Sequence, residues 1–470
     1  MGPLLWSVLI DVAIVGGLYI LGILALRVVG GRVDALAQAS LGLGLGGGLL
    51  SWVLFVMSWV GVPLSGVTVV ACFAALAVIL LMLSRAMPGQ AQPGRSPGME
   101  TARQARWSAR VLWVVLGLLV LAAAFLAVGL SYSGWDDIAG WSVAGYGIAL
   151  EGSVFGASGW GHARLLYPLN IPIQISIFRM LDGDVVPGSK LLFPGYYLAL
   201  LLSCYRFWRA RSVSRPWAEL GTVLLASTPL MFTHATLGYT NLPFTFYLTA
   251  GLLWGIEGLA QESSRKMVLA GVLLAQAGWT RPEGYLLCLG VLVSLLTGAW
   301  MARRSLRPFW AMMPPVLLAG VTWVVFLRLY GSGSIEHYQD LRLALAAWAR
   351  GQVNWGGLYT IARFLAGQVL RFREWGAFLP TVILLLIARL RFSALRQDNA
   401  RSTLTMASLI LGVAAVGANY VTVYSLSGRE HLYTYLAMDF NRVFMPVGVC
   451  LGLLAFLPAL PRLGPNQIDP

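Results

Sequence analysis

Residues 64–84 read LSGVTVVACFAALAVILLMLS, and no side chain in this run is charged. A helix needs about 20 apolar residues to cross a hydrocarbon core of roughly 30 Å. Similar apolar runs recur along the chain, which has 470 residues, 58% of them hydrophobic and 11% charged. Soluble domains average about 25% charged residues, so a soluble protein of this composition could not solvate its surface. The sequence therefore predicts a membrane protein.

The apolar runs have the length of helices and not of barrel strands. Lipid leaves backbone polar groups unsatisfied, so only helices and closed barrels can span a bilayer. Barrel strands alternate polar and apolar residues over about ten positions, and no such alternation occurs here. We therefore predict an all-α polytopic membrane protein with about 13 transmembrane helices. The predicted spans lie near 4–27, 41–60, 64–84, 110–131, 190–207, 217–236, 242–260, 266–280, 284–300, 309–330, 375–391, 402–424 and 441–460.

Basic residues occur in short clusters between the predicted spans. Loops rich in Arg and Lys stay on the cytoplasmic side, and with this span count all of the clusters fall on one side. Two long loops, at 132–189 and 331–374, fall on the other side. The sequence therefore predicts a multi-pass protein of the cell (inner) membrane. The clusters are Arg27 with Arg32, the 85–110 stretch, Arg206 to Arg215, Arg265 with Lys266, Arg303 to Arg307, Arg389 to Arg401, and Arg462.

The composition divides the chain into three parts. Residues 1–84 hold the first three predicted spans and form a three-helix N-terminal membrane extension. The next stretch, 85–109, is rich in Pro, Gly, Gln and Arg, a composition typical of a flexible linker, and we place it in the cytoplasm. Residues 110–470 hold the remaining spans and form the predicted membrane core.

Each long outer loop contains an amphipathic segment that is too short and too polar to span. The first covers residues 168–178, and the second covers 341–372, where Trp348 and Trp355 alternate with arginines. Amphipathic helices of this kind lie in the plane of the membrane interface. We therefore predict interfacial helices in both loops, with a membrane-resting loop that has no chemistry as the alternative for the second.

The charge and cysteine patterns exclude several classes of protein. The net charge of +14 would on its own fit nucleic-acid binding, but the basic clusters lie where the positive-inside bias puts them. We therefore expect membrane lipids and no nucleic acid among the partners. The 4 cysteines all lie inside apolar runs without CxxC spacing, which argues against a disulfide framework or a zinc site.

One glycine-rich stretch, GLGLGGG at residues 42–48, opens the second predicted span. Gly42 and Gly46 have GxxxG spacing, as do Gly44 and Gly48, and inside an apolar helix this spacing favours close helix packing. It is not a phosphate-binding loop, because no strand precedes it, and the chain contains no P-loop. A mechanism that uses a nucleotide sugar or ATP therefore finds no support.

Polar side chains on the predicted outer side concentrate at a few points. Asp136 and Asp137 follow the fourth predicted span, in a chain with only 19 acidic residues. Ionisable groups near membrane depth are costly and often functional. We therefore take these points as candidate site residues. The others are His162, Tyr167, Asn241, Arg281, Glu283, His431 and Arg442.

Each of these residues also has a purely structural interpretation. The two aspartates can be a solvated helix cap, Arg281 and Glu283 a structural ion pair, and Arg442 a snorkelling anchor. His162 and His431 are either ordinary surface residues or ligands of a divalent metal. The sequence names no certain cofactor.

Taken together, these side chains suit one kind of reaction. A carboxylate at the membrane boundary can act as general base on an acceptor hydroxyl. Arginines at the same level can hold the phosphate of a lipid-linked donor and stabilise charge on the leaving phosphate.

Four short motifs follow one another along the chain. Trp135-Asp136-Asp137 opens the long outer loop after a span, and Tyr167-Pro168 precedes an interfacial helix. Thr280-Arg281-Pro282-Glu283-Gly284 forms a short outer turn, and Asn441-Arg442-Val443-Phe444-Met445-Pro446 starts a late span. Over roughly residues 110–460 this order resembles the glycosyltransferase C superfamily, the polyprenyl-phosphate-sugar-dependent class that contains the protein O-mannosyltransferases and the lipid A aminoarabinose transferase.

The resemblance implies a function and roles for the residues. A sugar would pass from a polyprenyl-phosphate donor to a glycan, lipid or protein acceptor on the extracytoplasmic face. One aspartate of the pair would be the catalytic base, with Asp136 the first choice, and Arg281 and Arg442 would lie near the donor phosphate. Two features depart from the family pattern: Asn241 stands where the family often has Asp, and residues 1–84 precede the usual core.

Two other functions fit parts of the same pattern. A polysaccharide polymerase or ligase of similar architecture also uses lipid-linked sugars, with a glycan on a lipid carrier as its acceptor. A transporter or flippase belongs to a different class, and such proteins often contain inverted repeats with broken helices at the membrane midplane. The two halves of this chain show no clear repeat, and its polar groups cluster towards one face.

Overall fold

The structure is a computed structural model, and it describes residues 2–31, 33–86, 104–130, 140–158, 167–183, 188–281, 283–330, 343, 346–369, 371–392, 399–425 and 432–457. Helices account for all of the regular structure in these residues, and none of them is in a strand. The all-α prediction is therefore confirmed for the described part of the chain.

We number the described α-helices in chain order. They are α1 (Gly2–Gly30), α2 (Ala35–Trp59), α3 (Gly66–Ala86), α4 (Gln104–Gly129), α5 (Ser142–Glu151), α6 (Asn170–Asp182), α7 (Leu192–Ala210), α8 (Arg215–Ala226), α9 (Pro229–Thr236), α10 (Asn241–Ala260), α11 (Ser264–Gly278), α12 (Gly284–Met301), α13 (Met313–Tyr330), α14 (Trp355–Val369), α15 (Phe372–Trp375), α16 (Phe378–Phe392), α17 (Asn399–Ser425) and α18 (Leu432–Phe456).

Six segments in the described part of the chain are long and apolar enough to cross a membrane. They are Trp6–Gly30, Ala35–Trp59, Gly66–Ala86, Gly284–Met301, Arg307–Tyr330 and Ala400–Gly417. Several carry large apolar side chains on the protein surface, such as Val67 and Val70 on α3 and Val321 on α13. A soluble protein rarely exposes continuous apolar faces of this kind, so these helices have the character of membrane-spanning segments.

Helices α1 and α2 approach each other closely at their glycines. A Cβ atom on Gly22 would lie 1.7 Å from the carbonyl oxygen of Gly42, and one on Gly46 would lie 1.7 Å from the carbonyl oxygen of Leu18. Only glycine fits at such a crossing, because any side chain would collide with backbone that cannot move aside. The close packing predicted from the glycine spacing is confirmed.

Helix α2 also presents glycines to three other helices. A Cβ on Gly44 would meet the ring of Phe246 on α10, at 2.3 Å, and a Cβ on Gly47 or Gly48 would meet a glutamine side chain, each at 2.6 Å. These glutamines are Gln174 on α6 and Gln276 on α11. Helix α2 therefore packs closely against helices from later in the chain. The domain boundary after residue 84 stays a prediction.

Helix α6 covers the first segment that the sequence predicted to be interfacial. The helix is present, but every residue from Asn170 to Phe178 is buried. Its polar groups hydrogen-bond inside the protein, so the expectation that it rests on the membrane surface was wrong. The amphipathic pattern arises because one face of the helix meets polar side chains of its neighbours and the other meets apolar ones.

The end of α10 opposite Asn241 carries a buried charged cluster. Arg206 Nη1 donates to Glu257 Oε1 over 2.6 Å, and Lys266 Nζ lies 3.1 Å from Glu257 Oε2. Arg206 Nε also reaches Asp34, the N-cap of α2, over 2.9 Å. Two cations share one buried carboxylate here, which satisfies charges that would be costly if left unpaired. The cluster joins the ends of α7 and α10 to the starts of α2 and α11.

Changing Gly46 to alanine tests the glycine crossing. We expect Gly46→Ala to lower the stability by roughly 1–3 kcal/mol, because the added methyl group forces α1 and α2 apart. Thermal unfolding of the detergent-solubilised protein measures the effect. Gly16→Ala is the matched control, since a Cβ on Gly16 meets nothing within 4 Å and alanine favours a helix by up to about 1 kcal/mol. Equal melting temperatures for the two variants would contradict the crossing.

Candidate functional site

The turn between α11 and α12 contains two of the predicted site residues. A Cβ on Gly284 would lie 2.5 Å from the carbonyl oxygen of Ala277 and 3.0 Å from the Cα of Gly278. The start of α12 can approach the end of α11 only because residue 284 lacks a side chain. This close approach explains the glycine of the Thr-Arg-x-Glu-Gly motif and fixes the turn that carries Arg281 and Glu283.

Arg281 donates hydrogen bonds to the polar side chains around this turn. Its Nε donates to Glu283 Oε1, and its Nη1 donates to Asn241 Oδ1 and, over 3.4 Å, to Thr240 Oγ1. Asn241 and Thr240 belong to the start of α10, and both are buried. The structural ion pair weighed for Arg281 and Glu283 is therefore present. The same guanidinium group also links two segments that are far apart in the sequence.

Arg442 comes to the same region from α18. Its guanidinium carbon lies 4.8 Å from the centre of the Tyr239 ring, a cation–π distance. The Tyr239 ring lies 5.4 Å from the ring of His234. Arg281 contacts Thr240 and Asn241, the two residues after Tyr239, so both guanidinium groups contact the same short segment of the chain. The predicted Arg281, Arg442, Asn241 and Glu283 therefore lie in one region of the fold, and the buried His234 lies beside it.

The cluster contains charged groups of both signs. Arg281 and Arg442 are cations, and Glu283 is a carboxylate that pairs with Arg281. Asn241 accepts a hydrogen bond as an aspartate would, but it adds no negative charge. Guanidinium groups bind phosphate and carboxylate groups through parallel N–H donors. The cluster therefore contains side chains of a type that can contact an anionic ligand.

Two buried polar atoms of the cluster have no hydrogen-bond partner in the described part of the chain. They are Nδ1 of His234 and Nδ2 of Asn241. His234 is 3% exposed and Asn241 is 2% exposed. Buried polar atoms are normally hydrogen-bonded, so these two are available to a ligand that brings an oxygen atom or a hydroxyl group.

Sequence reasoning missed His234. It lies on α9, inside the apolar run that we assigned to a span, and we treated it as part of that span. A signal was present, because an ionisable residue in an apolar run is costly and often functional. What the sequence could not supply was the position of Arg442, which is more than 200 residues further along the chain.

A network of buried hydrogen bonds supports the turn from behind. Asn170, at the start of α6, donates from Nδ2 to Thr280 Oγ1 over 2.9 Å. Its Oδ1 accepts from Ser51 Oγ of α2 at 2.6 Å and from Gln174 Nε2 at 2.8 Å. All four side chains are fully buried. Thr280 immediately precedes Arg281, so the network fixes the position of the arginine relative to α2 and α6.

The network continues away from the turn into the bundle. Tyr196 OH donates to Gln174 Oε1 over 3.0 Å and lies 2.8 Å from Tyr247 OH. Tyr247 OH donates in turn to the carbonyl oxygen of Gly44 over 2.7 Å. Every member is buried, and buried networks of this kind rigidify a core when all of their groups are satisfied.

Of the remaining predicted site residues, Tyr167 lies in the described part of the chain. It packs edge-to-face on Trp141, with ring centres 5.3 Å apart. Asp136, Asp137, His162 and His431 lie outside the described residues, so the catalytic base stays a prediction, as do the two alternatives for the histidines. Leu130 is the last described residue before the two aspartates in the sequence. Its carbonyl oxygen accepts a hydrogen bond from the buried Lys190 Nζ over 2.9 Å.

Within the described residues, no group of three or more His, Cys, Asp or Glu side chains could hold a metal ion. Comparison with protein-family models gives no match. Neither the curated proteins nor the solved structures contain a significant relative. The functional argument therefore depends on the geometry of the site and on the resemblance of its motifs.

Ser51→Ala tests whether α2 supports the turn. Removing the hydroxyl takes one hydrogen bond from Asn170, and we expect a loss of about 0.5–1.5 kcal/mol in stability. Ser408→Ala is the matched control, because Ser408 Oγ is also buried but donates only to Leu404 of its own helix. Thermal unfolding of both variants in the same detergent gives the comparison. A loss in the control as large as that in Ser51→Ala would show that the link contributes nothing specific.

Proposed function

We propose that this chain is a membrane glycosyltransferase, which moves a sugar from a polyprenyl-phosphate donor to an acceptor on the extracytoplasmic face. One observation carries the proposal: two arginines from distant parts of the chain contact the same segment, Arg281 through Thr240 and Asn241 and Arg442 through the Tyr239 ring. Two guanidinium groups that meet in this way suit an anionic ligand. A donor phosphate supplies that charge.

The proposal includes a topology. The chain crosses the cell (inner) membrane about 13 times, with the Arg281 turn and the start of α10 on the extracytoplasmic side. The positions of the helices support this count, because each of the predicted spans overlaps a described helix or, near 217–236, the pair α8 and α9. Glu257 lies sixteen residues after Asn241 on α10, about 24 Å along the helix, so the charged cluster around Arg206 falls on the cytoplasmic side.

The chemistry is a single displacement that inverts the anomeric carbon. Asp136 or Asp137, with Asp136 the first choice, takes the proton from the acceptor hydroxyl. The acceptor oxygen forms a bond to the anomeric carbon while the bond from that carbon to the phosphate oxygen breaks. The electron pair leaves with the polyprenyl phosphate. Arg281 and Arg442 stabilise the charge that develops on this leaving group.

Asn241 has a specific place in this mechanism. It holds Arg281 by accepting its Nη1 hydrogen bond, as the more usual aspartate would. An aspartate, however, would add a second carboxylate beside the guanidinium group and weaken the attraction for phosphate. With asparagine, positioning is kept without that added negative charge. Glu283 then orients Arg281 from the other side of the turn.

The donor that is used and the product that is formed distinguish this proposal from the two alternative functions. A glycosyltransferase of this kind turns over a polyprenyl-phosphate monosaccharide and forms a new glycosidic bond to a glycan, lipid or protein. A polysaccharide polymerase would not use a single sugar. A flippase would move the donor across a liposome bilayer without any covalent product. The assay must therefore detect both the released polyprenyl phosphate and the glycosylated acceptor.

Replacing each aspartate of the acidic pair tests the proposed base. We expect Asp136→Asn and Asp137→Asn to leave expression and thermal stability intact, and at least one of them to abolish sugar transfer. The assay uses the nanodisc-reconstituted protein, a panel of polyprenyl-phosphate monosaccharides and a membrane extract as acceptor. Glu262→Gln is the control, because Glu262 is an exposed carboxylate in the turn after α10. Full transfer by both aspartate variants would refute the mechanism.

Replacing the arginines tests the phosphate site. We expect Arg281→Gln and Arg442→Gln each to reduce kcat/KM for the donor by about 10- to 100-fold, because a hydrogen bond to a charged group contributes roughly 1.5–3 kcal/mol. Steady-state kinetics over a range of donor concentrations measure the loss. Arg304→Gln, at an exposed arginine beyond the other end of α12, should keep its kcat/KM. An unchanged kcat/KM in both Arg281→Gln and Arg442→Gln would contradict the assignment of these arginines to the donor phosphate.

A further inference from the structure

Helix α14 carries aromatic and basic side chains on one exposed stripe. Trp355, Tyr359 and Arg363 are spaced four residues apart, so they follow one another along the same face of the helix. Trp355 is 72% exposed and Tyr359 is 68% exposed, and Arg363 is exposed as well. Ile361 lies on the opposite face and is buried. The helix therefore packs one face on the protein and presents an aromatic and cationic face outwards.

The segments on either side of α14 extend this surface. Trp348 is 55% exposed and Phe372 is 70% exposed, and each stands next to or near an exposed arginine, Arg350 and Arg371. We call these seven residues the aromatic–arginine surface: Trp348, Arg350, Trp355, Tyr359, Arg363, Arg371 and Phe372.

The arginines of this surface have no carboxylate partner in the described part of the chain. None of Arg350, Arg363 and Arg371 forms an ion pair there. The backbone carbonyl of Ala346, in the preceding turn, accepts a hydrogen bond from Arg350 Nε. Three exposed guanidinium groups and four exposed aromatic rings thus lie on α14 and its two flanking segments. Each guanidinium can present its N–H donors to an anion.

We propose that the aromatic–arginine surface lies at the membrane interface and binds the phosphate headgroups of anionic phospholipids. Trp and Tyr rings prefer the headgroup level of a bilayer, where one edge is apolar and the other is hydrated. Arg at the same level pairs with lipid phosphate through two parallel hydrogen bonds. A patch of aromatic residues alone, or of arginines alone, would fit either a solvated loop or a buried interface. A patch in which the two types alternate fits lipid headgroups.

The position of α14 in the fold favours lipid over a protein partner. The helix packs against α17 and α18, and α17 exposes the apolar side chains of Leu409 and Val413, at 58% and 74%. Helix α17 contains one of the membrane-spanning candidates. The helix that carries the aromatic–arginine surface therefore packs on a helix with exposed apolar side chains, which suit contact with lipid. This inference does not depend on the proposed transferase activity.

A local crosslinking experiment identifies what covers the surface. Tyr359→p-benzoylphenylalanine places a photoreactive group on the stripe of the full-length protein, which is then reconstituted in nanodiscs of equal phosphatidylglycerol and phosphatidylcholine. After illumination, mass spectrometry counts the lipid adducts of each class. We expect phosphatidylglycerol adducts to exceed phosphatidylcholine adducts at least about threefold, since each interfacial arginine attracts anionic lipid. The excess should fall at high salt.

Arginine variants complete the test. In the crosslinking background, Arg350→Gln, Arg363→Gln and Arg371→Gln together should bring the lipid ratio close to one, and Arg363→Gln alone should lower it partly if the triple variant does not fold. The matched control changes Arg303, Arg304 and Arg307 to Gln, and the excess should persist there. The same photoreactive group at Val413, on the apolar face of α17, should capture both lipids equally.

Three results would overturn the proposal. Equal capture of the two lipids at position 359 would show that the surface does not select anionic headgroups. An excess that survives the triple arginine change would show that the arginines are not responsible. A lack of lipid adducts at position 359, with adducts still formed at position 413, would place the surface in water or against another protein.

Discussion

Polar side chains inside an apolar bundle must find partners within the protein, because neither lipid nor an apolar core can supply them. Asn170 meets this constraint by binding Ser51 and Gln174 with one atom and Thr280 with another. Two helices, α2 and α6, and the turn before Arg281 are thereby fixed relative to each other. The arrangement of the cluster around Arg281 depends on this, since an arginine on an unsupported turn could not hold a defined position.

The helical architecture could be predicted because it follows from local and repeated features. Runs of apolar residues set the helices, and the spacing of Gly42 and Gly46 predicted the close crossing with α1. Both depend on properties that neighbouring residues share within one element, so no tertiary information is needed. The tight turn at Gly284 was likewise recognisable as a motif, although its cause, contact with Ala277 and Gly278, appears only in three dimensions.

The sequence could not show which side chains surround each polar residue in the fold. The amphipathic pattern of α6 indicates two different faces, but not whether the polar face meets water or buried side chains such as Ser51 and Thr280. The same limit applies to His234, whose neighbours come from helices that start and end far away in the chain. Arg442 alone would be taken for a lipid anchor, and its contact with Tyr239 sets it apart.

The glycines of α2 restrict which sequence changes this protein can accept during evolution. They face α1, α6, α10 and α11 in turn, so the rotation of the helix about its axis is set by several neighbours at once. Inserting or deleting one residue ahead of Gly42 would rotate every later position by about 100°. All of these contacts would then be lost together. Point substitutions on lipid-facing α3 meet no such restriction, so length variation in α2 should be far rarer among descendants of this chain than drift in α3.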